Sequence, residues 1–195
     1  MEKIKMTLDE HYERNARSKK MLLWFAMISM FMMFAGLTSA YVVSTSRPDW
    51  VKDFELPQAF MISTALILLS SITFHLAVKA TKDSNRSGAS AFLLATLGLG
   101  IAFVVAQFYG FGKIIEAGYF FTGPESNITS TFVYTVSIVH LAHLIAGLLV
   151  LLVVIYNHFK QKYTPSQTLG IELGAMFWHF LDILWIYLFL FFYFY

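Results

Sequence analysis

Residues 21–43 read MLLWFAMISMFMMFAGLTSAYVV, a stretch without a single charged side chain. A bilayer core about 30 Å thick needs roughly 20 helical residues to cross it, so this stretch predicts a transmembrane helix. It is too long for the apolar region of a signal peptide, which has roughly 7–15 residues. Similar apolar stretches recur along the chain, and we predict spans at about residues 21–43, 57–78, 89–111, 131–156 and 171–193.

The composition supports a membrane protein. Hydrophobic residues make up 57% of the 195 residues and charged residues 13%, whereas roughly 25% of a typical soluble domain is charged. The net charge of +2 does not indicate nucleic acid as a partner. Because the chain has no cysteine, disulfides, thiolate metal sites and iron–sulfur clusters are excluded. We predict an all-α integral membrane protein with a polar segment at 1–20 and a single five-helix domain at 21–195.

The basic residues predict the orientation of this bundle. Lysine and arginine concentrate in the connections that face the cytoplasm. If the N-terminus is cytoplasmic, the outer connections hold only Arg47, Lys52 and Lys113 of the 14 basic residues. The predicted topology therefore has the N-terminus in the cytoplasm and the C-terminus in the periplasm.

The fourth and fifth spans carry most of the ionisable side chains within the apolar stretches. His140 and His143 are three apart in the fourth span and share one helical stripe. In the fifth span, Glu172 and His179 are seven apart and share a face, and Asp182 follows His179 at a spacing that allows a hydrogen bond.

Tryptophan and glutamine add to this polar set. Trp178 and Trp185 form a second seven-residue pair, on a neighbouring stripe of the fifth span. Gln107 in the third span is predicted to form a hydrogen bond between helices.

Three interpretations of these polar residues follow from the pattern alone. Histidines with an aspartate can bind a metal, and histidines on two helices can be axial ligands of haem. Chains of Asp, Glu and His can also relay protons across a membrane. The third interpretation is structural, with polar side chains hydrogen-bonded between helices to fix their packing.

Residues 177–185 read FWHFLDILW, which resembles the last helix of subunit III of bacterial haem-copper terminal oxidases. That family includes the subunits III of cytochrome c oxidases and quinol oxidases. Its penultimate helix has two histidines three apart, with a small residue before and a glycine after. The corresponding residues here are Ser137, His140, His143 and Gly147.

Other spans extend the resemblance over nearly the whole chain after the N-terminal segment, and the five spans match the short bacterial form of the family. The matching residues of the first and third spans are Trp24, Ser29, Gly36, Tyr41, Gly98 and Gln107. The chain departs from the family at Met30 and Gly110, where many members have glutamate. These departures argue against proton uptake through those two carboxylates.

The resemblance implies a non-catalytic subunit of a respiratory complex in the bacterial inner membrane that reduces oxygen to water and pumps protons. Haem and copper are then expected in partner subunits and none in this chain. The resemblance also implies contacts with subunit I above all and with subunit II, structural phospholipids in a cleft, and protection of the complex from turnover inactivation.

On this interpretation the polar residues form a structural network, with His143 lying across from His179 and Asp182. Cytochrome c is the expected electron donor, and a quinol oxidase is the alternative. Two rival functions are a di-haem membrane cytochrome and a small secondary transporter.

Overall fold

A computed structural model describes residues 2–48, 50–51, 56–123, 126–164 and 167–194, with residues 2–9, 11 and 12 as backbone only. The described residues form five α-helices. In chain order these are α1 (Glu2–Ser44), α2 (Gln58–Lys82), α3 (Arg86–Glu116), α4 (Ile128–Phe159) and α5 (Leu169–Phe194). Each helix contains a segment long and apolar enough to cross a bilayer. The predicted all-helical, five-span fold is therefore confirmed.

The helices are longer than the predicted spans at several ends. Helix α1 begins at Glu2 and continues past residue 20 without a break. Helices α3 and α4 together shorten the loop that was predicted at 112–130. Lys113 binds Glu116 at 2.6 Å and extends the end of α3, while the Asn127 side chain accepts a hydrogen bond from the Ser130 amide and caps α4. Polar side chains thus continue these helices beyond the apolar stretch.

Helix α5 is the central element of the bundle. It packs against α1, α2 and α4. Helix α3 packs against α2 and α4, so α2, α3, α4 and α5 form a closed four-helix group. Helix α1 lies outside this four-helix group and, among the described residues, packs only on α4 and α5. One face of α1, with Phe34, Thr38 and Tyr41, is buried in that contact, and Thr38 Oγ1 lies 2.9 Å from Tyr187 Oη of α5.

Candidate functional site

Two tryptophans of α5 bind hydroxyl groups of α2. Trp178 and Trp185 are each 1% exposed. Trp178 Nε1 donates to Ser70 Oγ at 3.0 Å, and Trp185 Nε1 donates to Thr64 Oγ1 at the same distance. Each hydroxyl donates its own proton to a carbonyl three or four residues earlier in α2. The hydroxyl lone pairs are therefore left to accept from the indoles, and these bonds set the register between α2 and α5.

Glycines of α3 and α4 make room for α5. A Cβ atom at Gly100 of α3 would lie 2.9 Å from Cη2 of Trp178, and a Cβ atom at Gly147 of α4 would lie 2.7 Å from Cδ1 of Leu181. Real Cβ atoms are not found this close to other heavy atoms. The backbones of α3 and α4 can approach α5 only because these two residues lack side chains.

His179 binds α2, and the hydrogen bond expected between His179 and Asp182 is not formed. Nδ1 of His179 lies 2.6 Å from Ser71 Oγ but 4.0 Å from Oδ2 of Asp182. Asp182 is 1% exposed. Neither of its carboxyl oxygens has a well-formed hydrogen bond to a described residue, although the Ser71 side chain is close enough to interact with the carboxyl group. His179 therefore bonds to α2 rather than to Asp182 of its own helix.

Glu172 forms a separate cluster at one end of the bundle. Its carboxylate lies 2.8 Å from Lys82 Nζ of α2 and 3.7 Å from Lys20 Nζ of α1. Glu172 and His179 line the same cleft, of about 600 Å³, between α1 and α2. The cluster therefore joins α1, α2 and α5 at the end of this cleft.

The histidines of α4 lie apart from those of α5. His140 is 1% exposed, and neither ring nitrogen has a hydrogen-bond partner among the described residues. Its ring lies among the rings of Phe34, Phe103 and Trp185, with centroids 6.2, 6.3 and 5.0 Å away. His143 Nδ1 bonds to the Val139 carbonyl of its own helix at 2.7 Å.

The hypothesised network of His143, His179 and Asp182 stays a prediction, although the structure records separate contacts for His143 and His179. His143 packs its ring against Phe34 of α1 at 5.8 Å, whereas His179 bonds to α2. Over the described ranges, no group of three or more His, Cys, Asp or Glu side chains has a geometry that can hold a metal ion.

Gln107 of α3 binds α2. Its Nε2 donates to Ser63 Oγ at 2.9 Å, and both side chains are buried. Three residues further along α3, a Cβ atom at Gly110 would lie 2.8 Å from the Phe60 ring. The family's glutamate therefore cannot be accommodated at Gly110 unless Phe60 moves.

The partners on α2 are the functional residues that sequence reasoning missed. Ser63, Ser70 and Ala77 are seven apart, and each is 0% exposed. This repeat of small residues was the signal that could have identified the packing face of α2. His75 of α2 lies in the same cleft as His179, and the two ring centroids are 6.4 Å apart.

The fold and these contacts define a multi-pass membrane protein in which several buried polar groups join one helix to another. The family described as cytochrome c oxidase subunit III matches residues 8–195, and the chain belongs to that family. It is 32% identical over 166 residues to cytochrome c oxidase subunit 3 of Corynebacterium diphtheriae, covering 82% of this chain and 79% of the relative.

Relatives from other organisms show similar sequence identity, and they include a subunit of a quinol oxidase. Cytochrome bo(3) ubiquinol oxidase subunit 3 of Pseudomonas putida is 30% identical over 168 residues, covering 84% of this chain and 79% of the relative. Cytochrome c oxidase subunit 3 of Drosophila yakuba is 31% identical over 166 residues, covering 84% and 61%.

Family membership confirms the resemblance seen in the sequence. The chain is a multi-pass protein of the bacterial inner membrane and one subunit of a multisubunit haem-copper oxidase complex in aerobic respiration. This membership decides against the di-haem cytochrome and the secondary transporter.

Proposed function

We propose that this chain is the non-catalytic subunit III of a cytochrome c-type oxidase and supports the assembly and stability of that complex. The complex reduces oxygen to water and pumps protons, and its haem and copper are held by partner subunits. The observation that carries this proposal is the use of buried polar groups to bind helices together. Trp178, Trp185 and Gln107 each donate to a hydroxyl of α2, as expected of a rigid scaffold.

The outer surface of α1 supports a contact with subunit I, and subunit II is the second proposed partner. Leu22, Phe25 and Met32 of α1 lie on one stripe and are 64–67% exposed. Helix α1 packs only on α4 and α5 within the described part of the chain, so this apolar stripe is available to a neighbouring subunit.

Two clefts beside α1 support binding of structural phospholipids. One, of about 600 Å³, lies between α1 and α2, and the other, of about 610 Å³, lies between α1 and α4. Apolar side chains form most of both linings, which suits acyl chains. Lys20 and Lys82, at the end of the first cleft, provide positive charge for a phosphate head group.

The charge distribution supports an orientation with the N-terminus in the cytoplasm and the C-terminus in the periplasm. Lys20, Lys82 and Arg86 lie at the ends of their segments that this orientation places inside. Cysteine substitution and labelling with an impermeant thiol reagent test it. Ser18→Cys is expected to react only from the cytoplasmic side, and Gly118→Cys only from the periplasmic side. Labelling of both from one side contradicts the orientation.

Co-purification of the tagged full chain in mild detergent tests the proposed partners. We expect haem-containing subunits in the eluate, identified by their absorption bands. Phe25→Ala on the α1 stripe is expected to lower the haem recovered after a stringent wash, whereas Phe108→Ala, similarly exposed on α3, is not. A colourless eluate contradicts the subunit assignment, and equal losses in both variants contradict the use of α1.

Oxygen consumption by the co-purified complex tests the choice of electron donor. We expect reduced cytochrome c to support turnover, because the proposed complex is of the cytochrome c type. Relatives of both types are similar to this chain, so activity with quinol alone favours the quinol oxidase instead. The same preparation tests the lipids, because phospholipids are expected to remain bound after detergent exchange.

His179 and Asp182 are proposed to stabilise the packing of α5 against α2 through Ser71. Asp182→Ala removes a fully buried side chain beside Ser71, and we expect a lower melting temperature of the complex. Glu13→Ala is the control, since the Glu13 side chain is exposed. An unchanged melting temperature and yield for Asp182→Ala rejects this role.

A further inference from the structure

A polar pocket of about 250 Å³ lies between the α2–α3 and α4–α5 connections. It is distinct from the apolar clefts beside α1 and plays no part in the proposed function. The residues that line it include Ser84, Arg86, His158, Gln161 and Tyr163. None of its described lining residues carries a carboxylate, so the pocket combines a positive charge with several polar hydrogen-bonding groups.

Most N–H groups of the Arg86 guanidinium donate to no described residue. Across the described residues, its only hydrogen bond is a long one, 3.5 Å from Nη2 to the His158 carbonyl. No described carboxylate lies within ion-pair distance of Arg86. A guanidinium has five N–H donors in a planar fork, which suits the oxygens of phosphate.

His158 and Tyr163 form part of the wall of the pocket. Ser90 Oγ donates its one proton to the Arg86 carbonyl, so it can only accept from His158 Nε2 at 2.9 Å. This bond fixes the buried His158 ring. Burial raises the pKa of Tyr163, while a hydrogen bond from Asn157 has a smaller, opposite effect. Tyr163 therefore stays protonated at neutral pH and remains a hydrogen-bond donor.

Two residues of the pocket hold strained backbone conformations. Ser84 and Gln161 have φ of 60° and 59° at equivalent positions after α2 and α4. In both turns, backbone N–H groups bond to carbonyls three and five residues earlier, the pattern of a Schellman motif. Glycine is the usual residue there, because a Cβ atom crowds the backbone in this left-handed conformation. Both turns instead keep a polar side chain, and both side chains line the same pocket.

We propose that this pocket binds a phosphate group, with Arg86 as its main ligand and Ser84 as a second. The volume is several times the roughly 30 Å³ taken by one water molecule, which is enough for a phosphate. Lys20 and Lys82 lie at the same end of the bundle, and their positive charge attracts anions. The phosphate belongs either to a free phosphate compound or to the head group of an acidic phospholipid.

Reconstituted full-length chain tests this proposal and distinguishes the two sources. In phosphatidylcholine nanodiscs, inorganic phosphate is titrated and the melting temperature is followed. In a parallel arm, phosphatidylglycerol replaces part of the phosphatidylcholine. A saturable rise in melting temperature with inorganic phosphate identifies a free phosphate compound as the ligand. A rise in melting temperature with phosphatidylglycerol alone identifies the lipid head group. In either arm, Arg86→Gln is expected to weaken binding at least tenfold.

Two further variants separate a pocket from general charge attraction. Lys162→Gln removes an exposed positive charge from the same end without altering the lining, and we expect less than a twofold effect. Ser84→Gly is expected to weaken phosphate binding but to raise the melting temperature of the phosphate-free chain, because it removes backbone strain. No saturable response in either arm, or equal losses in Arg86→Gln and Lys162→Gln, overturns the proposal.

Discussion

The hydrogen bond between Trp178 and Ser70 leads to a quantitative prediction about how α2 and α5 are held together. Trp178 is 1% exposed and Ser70 is fully buried, with 3.0 Å between Nε1 and Oγ. Trp178→Phe removes the donor and part of the ring but keeps an aromatic side chain in the same place. Ser70 Oγ keeps its own bond to the Ile67 carbonyl, so no buried hydroxyl proton is left without a partner.

Two effects determine the expected loss of stability. Hydrogen bonds between membrane helices contribute on average about 0.6 kcal/mol and at most about 1.7 kcal/mol, and we expect about 1 kcal/mol because both groups are buried. The smaller ring leaves a void of about 40 Å³, which adds about 1 kcal/mol at roughly 24 cal/mol per Å³. Trp178→Phe is therefore expected to lower the free energy of unfolding by about 2 kcal/mol.

A double-mutant cycle isolates the hydrogen bond from the void. Reversible unfolding of the chain in mixed micelles is measured for Trp178→Phe, Ser70→Ala and the double variant. The coupling energy is expected to be about 1 kcal/mol. Trp24→Phe, at a residue that is 54% exposed, serves as the control and is expected to change stability little. A coupling energy within about 0.3 kcal/mol of zero refutes the idea that this bond joins the helices.

Three other contacts give further predictions. Gly147→Ala is expected to lower the free energy of unfolding by about 1–3 kcal/mol, because the added Cβ atom would lie 2.7 Å from the Leu181 side chain. Gly98→Ala is expected to be neutral or stabilising, because no atom lies within 4 Å of its added Cβ atom. Unfolding in mixed micelles measures both variants. His140→Phe is expected to preserve or raise the melting temperature, because the buried imidazole nitrogens have no described hydrogen-bond partner, and a large loss argues for a polar role. Lys82→Gln is expected to lower stability by less than about 1 kcal/mol through the pair with Glu172. That loss is expected to shrink at high salt, and a salt-independent loss contradicts its electrostatic origin.

The five helices were predictable because crossing a bilayer imposes a length and a hydrophobicity on each segment separately. The stretch at 21–43 predicts its helix without any information about its neighbours. The ends were less predictable, because polar side chains continue a helix where the apolar stretch stops. Lys113 extends α3 in this way, and the cap at Asn127 starts α4 earlier than its apolar pattern.

The polar contacts were predictable in kind but not in partner. The sequence places His179 and Asp182 within reach of each other on one helix, but it gives no information on which hydroxyl of another helix comes closer. Ser71 of α2 takes that position. The rotation of α2 about its axis decides this contact, and it depends on packing along the whole helix. Pattern reasoning on single helices therefore predicted that Gln107 forms a hydrogen bond between helices but not that its partner is Ser63.

The FWHFLDILW segment is specific because α5 has neighbours on most of its sides. Trp178 bonds to α2 and fills the space left by a glycine of α3, Leu181 fits against a glycine of α4, and Trp185 bonds to α2 while packing on His140 of α4. The buried residues of the motif thus contact α2, α3 and α4, so a change at Trp178, Leu181 or Trp185 alters a close contact between helices. Helix α1 packs on only two helices in the described structure. Most positions on its surface therefore need an apolar side chain but no particular residue. The sequence of α1 is for this reason less diagnostic of the family than that of α5.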